Sequence, residues 1–66
     1  MSYLLKEVRE SKQMTQEELE KRSGISRQTI SAIENGKTKD VKIGTLKALA
    51  KALDSTIDAI FFPSAV

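Results

Sequence analysis

Residues 15–37 read TQEELEKRSGISRQTISAIENGK, and the rest of the chain is organised around them. Thr15-Gln16-Glu17-Glu18 is a capping box: the threonine oxygen accepts from the third helical amide while Glu18 reaches back to the cap. A helix therefore begins after Thr15. Leu19 is its only large apolar residue, so the helix is short. It ends at Ser23-Gly24, because glycine has no Cβ to oppose the left-handed conformation that follows a helix. Ile25 then returns to the core, and Ser26 is a good N-cap for a next helix. Ile30 and Ile33 share one face of that helix. Glu34-Asn35-Gly36 is a second left-handed stop.

Outward from this stretch the chain continues as short helices with polar joints. No alternation of apolar and polar residues is long enough for a strand. Tyr3–Lys12 is expected to form the first helix, with Leu4, Leu5 and Val8 as one stripe and Ser2 as its cap. Lys37–Val41 is a charged loop. Ile43–Leu53 carries Ile43, Leu46, Leu49, Ala50 and Leu53 on one face, the clearest amphipathic stripe in the chain. Asp54-Ser55-Thr56 breaks it. Thr56 caps a last short helix with Ile57, Ile60 and Phe61 inward, and Pro63 ends that helix. The expected fold is all-α: five helices in one domain over residues 1–66. Phe61 and Phe62 cannot both face one small core from adjacent positions. Phe61 is the better core candidate, which leaves Phe62 and Val66 to a dimer interface or to chain-end packing.

Composition narrows the function. With 66 residues, the chain buries only about 60% of the surface its unfolded form exposes, so modest stability is expected unless it pairs with a second copy. Cysteine and histidine are both absent. That removes disulfides, thiolate sites, the commonest metal ligand and the commonest general base, and no cofactor is expected. No apolar run approaches the ~20 residues of a membrane span. The N-terminus lacks the apolar stretch of a signal peptide, so a cytoplasmic location is the expectation. The net charge is only +2, but its distribution is uneven. From Arg27 to Lys51 six basic residues face two acidic ones, while Glu7, Glu10, Glu17, Glu18 and Glu20 crowd the first half. A basic half is the footprint expected of a phosphate-binding surface; an ordinary solvated surface gives the same pattern.

Two short helices joined by a three- to four-residue turn with glycine make a helix-turn-helix. In that motif the second helix stands out so that its first turn enters a groove ~12 Å wide. The buried faces need aliphatics, here Leu19, Ile25, Ile30 and Ile33. The exposed face needs short polar or bidentate side chains, here Arg27, Gln28, Thr29, Ser31 and Ala32. Arginine bonds guanine O6 and N7 together, glutamine bonds adenine N6 and N7 together, and small neighbours allow close approach.

Gln16 through Lys37, QEELEKRSGISRQTISAIENGK, resembles the helix-turn-helix of the phage repressor and Cro-like family, the xenobiotic-response-element type. The likeness covers nearly the whole chain: Leu5–Arg9 resembles the family's first helix and Thr45–Leu53 its fourth. The resemblance implies a lambda-repressor-like DNA-binding domain with helices 2 and 3 as the motif. It implies base reading by Arg27 and Gln28, with Ser31 and Ala32 further along the groove. Gln16 matches the glutamine that binds a phosphate and steadies the recognition helix. Thr29 falls at a phosphate or a thymine methyl. Asn35, Lys37 and Thr38 match the loop that grips the backbone, and Lys39 or Lys42 reaches toward the adjacent minor groove or its phosphates. Arg9 resembles a family arginine paired with the glutamate near the end of the recognition helix, here Glu34.

Three departures stand out. The motif's fifth position, usually a small alanine, is Glu20. A buried, unpaired carboxylate would be costly, so either its stem lies along the surface with the charge in water or the two helices pack differently. The loop Lys37–Lys42 is one residue longer than common and lacks the family's proline. Asp54 stands where a glycine stop is frequent, and aspartate tolerates the left-handed region better than most residues.

Three function classes follow. The first is a transcriptional regulator, a repressor that binds double-stranded DNA at a near-palindromic operator as a homodimer, with no small-molecule ligand and no membrane partner. The second keeps the fold but makes it a protein-interaction module, an antitoxin-like or anti-repressor partner. The third, an enzyme, would need a carboxylate pair in a cleft that so small a helical chain hardly offers.

Overall fold

A computed structural model describes residues 3–38 and 41–61. Five helices follow one another: α1 Leu5–Ser11, α2 Gln16–Ser23, α3 Arg27–Glu34, α4 Ile43–Ala52 and α5 Ile57–Phe61. All described regular structure is helical.

The helix starts follow local chemistry. At α2 both halves of the capping box form: Thr15 Oγ1 accepts the Glu18 amide at 3.1 Å, and Glu18 Oε1 accepts the Thr15 amide at 3.0 Å. Ser26 Oγ accepts the Thr29 amide at 3.2 Å to start α3, and Thr56 Oγ1 accepts the Ala59 amide at 3.1 Å to start α5. Each such cap contributes about 1 kcal/mol. α1 is shorter than its sequence suggests: Leu4 is its N-cap, and no side chain caps it. Ser2 lies outside the described residues.

Three helices end in the same device. The residue after the C-cap turns left-handed, its amide bonds two residues into the helix, and the next amide bonds the carbonyl before that. After α3 the left-handed residue is Gly36, at φ +69°, with Gly36 N–H to Ile33 O at 3.2 Å and Lys37 N–H to Ala32 O at 2.9 Å. After α4 it is Asp54, at φ +52°, and after α1 it is Gln13, at φ +55°, with the equivalent bonds to Lys51 and Ala50 and to Glu10 and Arg9. Asp54 thus holds the glycine-like conformation expected of it. Gln13 carries no local signal of its left-handed turn.

The packing is mutual. α2 lies against α3 and α4, α1 against α3 and α5, and α4 against α5. Leu5, Leu19, Ile30, Ile33, Leu49 and Ile60 are wholly inaccessible, and Leu46, Ala50, Leu53 and Phe61 join them in one cluster. Burying side chains of this size stabilises by about 1.5–3 kcal/mol each. Near the chain's beginning, the Leu4 amide donates to Ile60 O at 2.8 Å, and the Tyr3 ring meets Phe61 edge-on at 4.9 Å.

Ile43 departs from its expected place. It is 62% exposed, whereas the rest of its stripe is buried. As the first residue of α4 it has no preceding turn to lie against. Helical period sets the direction of a side chain but not where the neighbouring elements stop. Phe61 takes the core position expected of it; Phe62, Pro63 and Val66 lie outside the described residues.

Candidate nucleic-acid interface

The turn between α2 and α3 sets the presentation of α3. Gly24 takes φ +77°, and its amide bonds Glu20 O at 2.9 Å. Ser23 Oγ accepts the Ile25 amide at 3.0 Å. Ile25 is half-buried against the core, while Ser26 turns extended to open the next helix. Ile30 and Ile33 pin the inner face of α3. Its outer face is left to Arg27, Gln28 and Thr29, which are exposed, and to Ser31 and Ala32, which are half-buried.

Seven side chains line one concavity on this face: Gln16, Arg27, Gln28, Ser31, Ala32, Asn35 and Lys37. All seven were singled out from the sequence. Thr29, Thr38 and Lys42 do not line it. The Thr29 hydroxyl is engaged locally, accepting from Ser26 Oγ at 2.9 Å. Thr38 is half-buried. Lys42 is exposed at the N-cap of α4, and Lys39 lies outside the described residues.

A hydrogen-bonded chain runs from the core to this concavity. Arg9 is 8% exposed. It donates from Nη1 to Met14 O at 2.7 Å, from Nε to Glu34 Oε2 at 2.8 Å and from Nη2 to Glu34 Oε1 at 3.1 Å. The two-pronged fit suits a guanidinium and a carboxylate. The Glu34 bonds, partly offset by burial, raise the Arg9 pKa above its already high ordinary value. Gln16 Nε2 donates to Glu34 Oε1 at 3.0 Å, and Gln16 Oε1 accepts from Arg27 Nε at 3.4 Å. The Gln16 amide is thereby oriented at both ends, and it steers the Arg27 guanidinium across the face of α3. Family likeness pointed to the Arg9–Glu34 pair; that Gln16 bridges it to Arg27 was not foreseen. Further along, Asn35 Nδ2 donates to Ser31 Oγ at 3.2 Å.

Glu20 keeps its carboxylate at the surface, as the first of the two expectations has it. It is half-buried, and its Oε2 accepts the backbone amide of Arg27 at 3.0 Å. The carboxylate is not stranded in the core, and at the surface it carries a hydrogen bond to the next helix. The only clue in the sequence was its departure from the usual small residue.

Among the described residues, the basic side chains of the second half do not all line one concavity. Arg27 and Lys37 share the α3 concavity, whereas Lys51 lines a second one with Arg22, Ser23, Ala48 and Ala52, between α2 and α4. Lys37 and Lys51, which belong to the same basic half of the sequence, therefore line different concavities. Among the described residues no group of three acidic, histidine or cysteine side chains could hold a metal, and no helix is long and apolar enough to cross a membrane.

Comparison with curated proteins finds no significant match. The profile of the helix-turn-helix family, a family of DNA-binding regulators, matches residues 5–60, which span α1 to most of α5. By that match and by its five-helix architecture, the chain belongs to the helix-turn-helix family of the Cro and phage-repressor (xenobiotic-response-element) type.

Proposed function

We propose that the chain is a sequence-specific transcriptional regulator, a repressor that binds a near-palindromic operator as a homodimer with α3 in the major groove. The observation that carries this reading is the concavity on the outer face of α3. It joins two bidentate side chains, Arg27 and Gln28, to two small ones, Ser31 and Ala32. That is the composition needed to bring a helix against base edges. Gln16, Asn35 and Lys37 complete its lining and take phosphates, which fixes register without reading sequence. Thr29, Thr38 and Lys42 are assigned to the backbone on either side, and Lys39 to the same role.

A single module offers too few base contacts for useful discrimination. Two copies on half-sites about 34 Å apart double them, and Phe62 and Val66 are the residues assigned to the contact between copies. In this reading the chain is one cytoplasmic domain, a binding protein rather than an enzyme, without a small-molecule ligand. Selection of bound duplexes from a random pool tests it. A two-fold symmetric consensus is expected; a pool that emerges without any preferred sequence would overturn it.

A further inference from the structure

Neither the helical periodicity nor the family pattern accounts for Glu20. Its carboxylate accepts the amide of Arg27, the first residue of α3. That amide is one of those a helix leaves open at its N-terminus, and Ser26 already takes another, that of Thr29. Glu20 therefore sits at the positive end of the α3 dipole, the place where a helix binds an external phosphate. The Arg27 guanidinium forms no ion pair with it within 4 Å. Arg27 Nε points instead to Gln16, and the ion pair within 4 Å among the described residues is Arg9–Glu34. A negative charge without an ion-pair partner within 4 Å among the described residues thus stands beside the Arg27 edge of the concavity.

We propose that Glu20 determines specificity by closing the N-terminus of α3 to phosphate. The proposal rests on α3 being the DNA-facing helix. Phosphates are common to every duplex, and base edges are not. In a sequence-independent complex α3 is free to shift its open amides onto a phosphate. In the specific complex Arg27 and Gln28 hold α3 in the groove, and that shift is unavailable. A resident carboxylate therefore penalises the first complex more than the second, which is specificity gained by repulsion.

The test compares wild type, Glu20→Gln and Glu20→Ala for binding to a selected site and to a random duplex, from about 50 to 300 mM salt. Glutamine keeps an acceptor for the Arg27 amide and removes the charge. One unit charge facing one phosphate at 6–8 Å in water corresponds to about threefold in affinity. Glu20→Gln should therefore bind the random duplex about threefold more tightly and the selected site less than twofold more tightly. The difference should shrink as salt screens it. Glu20→Ala should show the same gain with a lower Tm, so the test survives if one variant folds poorly. A merely structural cap would move Tm and leave the ratio of the two affinities unchanged. An unchanged ratio in both variants, or a change indifferent to salt, overturns the proposal while leaving the reading of α3 intact. Wild type without any preference for the selected site overturns both.

Discussion

Removing Glu34 tests the network that ties the core to the outer face of α3. Glu34→Ala deprives Arg9 of two of its three hydrogen bonds, those from Nε and Nη2, and leaves only Met14 O for Nη1. The Arg9 side chain is 10% exposed, so little water reaches the abandoned donors. Breaking a buried pair by removing one partner costs about 3–5 kcal/mol; the residual access of Arg9 places this case near 3. Gln16 also loses its acceptor, but it is half-buried and can turn to water. At roughly 0.05–0.15 kcal/mol per residue, 66 residues amount to about 3–10 kcal/mol in total. The variant should therefore lose a third or more of its stability, and its Tm should fall by roughly 12–24 °C. The chain has no tryptophan, so circular dichroism at 222 nm is the suitable probe. Replacing both partners by apolar residues, Arg9→Met with Glu34→Leu, removes the charges together and should return stability to within about 1 kcal/mol of wild type. A single variant as stable as wild type, or a double variant worse than the single, would refute the reasoning.

Other consequences can be checked separately. Asp54→Gly and Gln13→Gly should each stabilise by about 0.5–1 kcal/mol, because both sites hold left-handed backbone; a loss of Tm in either would count against strain there. Gly36→Ala should destabilise by about 1 kcal/mol although its Cβ would meet nothing within 4 Å, since the cost is conformational rather than steric. Arg27→Ala should relax preference at one base pair, whereas Lys37→Ala should weaken all duplexes alike and reduce the salt slope by about 1; indistinguishable effects would reject the division between reading and gripping. The Thr15 amide, helped by its hydroxyl, holds the Glu18 carboxyl below the usual carboxylate range. A depressed folded-state pKa means that the capping box stabilises fully above the ordinary glutamate value of about 4.3 and is lost as pH falls below it. The Tm gap between wild type and Glu18→Gln should then be widest near neutrality and close on acidification; a gap constant with pH would contradict this.

Features governed by short-range chemistry were legible in the sequence. Thr15 and Glu18 lie within one turn of each other, Ser26 caps its own helix, and Gly24 and Gly36 terminate theirs. These outcomes depend on two to four neighbouring residues whatever the rest of the chain does. The 3.6-residue period of Ile30 and Ile33, and of Leu46, Leu49 and Leu53, likewise identified the buried faces. The seven residues of the α3 concavity were legible for a related reason. Once the inner face of a short helix is known, the outer face follows, and likeness to a known motif added Gln16 and the residues after α3.

Tertiary structure decided whatever depended on residues far apart in the chain. Ile43 has the right period for burial, yet it is exposed at the first turn of α4. Gln13 enters the left-handed region with no glycine to announce it, in a turn that leaves Met14 O beneath the Arg9 guanidinium. Lys37 lines the concavity on α3 and Lys51 the one between α2 and α4, a division that helix packing sets. Gln16 acquired its orientation from Glu34, 18 positions away, and Glu20 found the Arg27 amide seven positions on, across the turn. Local propensity is additive along the chain and can be read from it. Partnership between distant side chains exists only once the helices have packed, and here it governs how the edge of α3 is held.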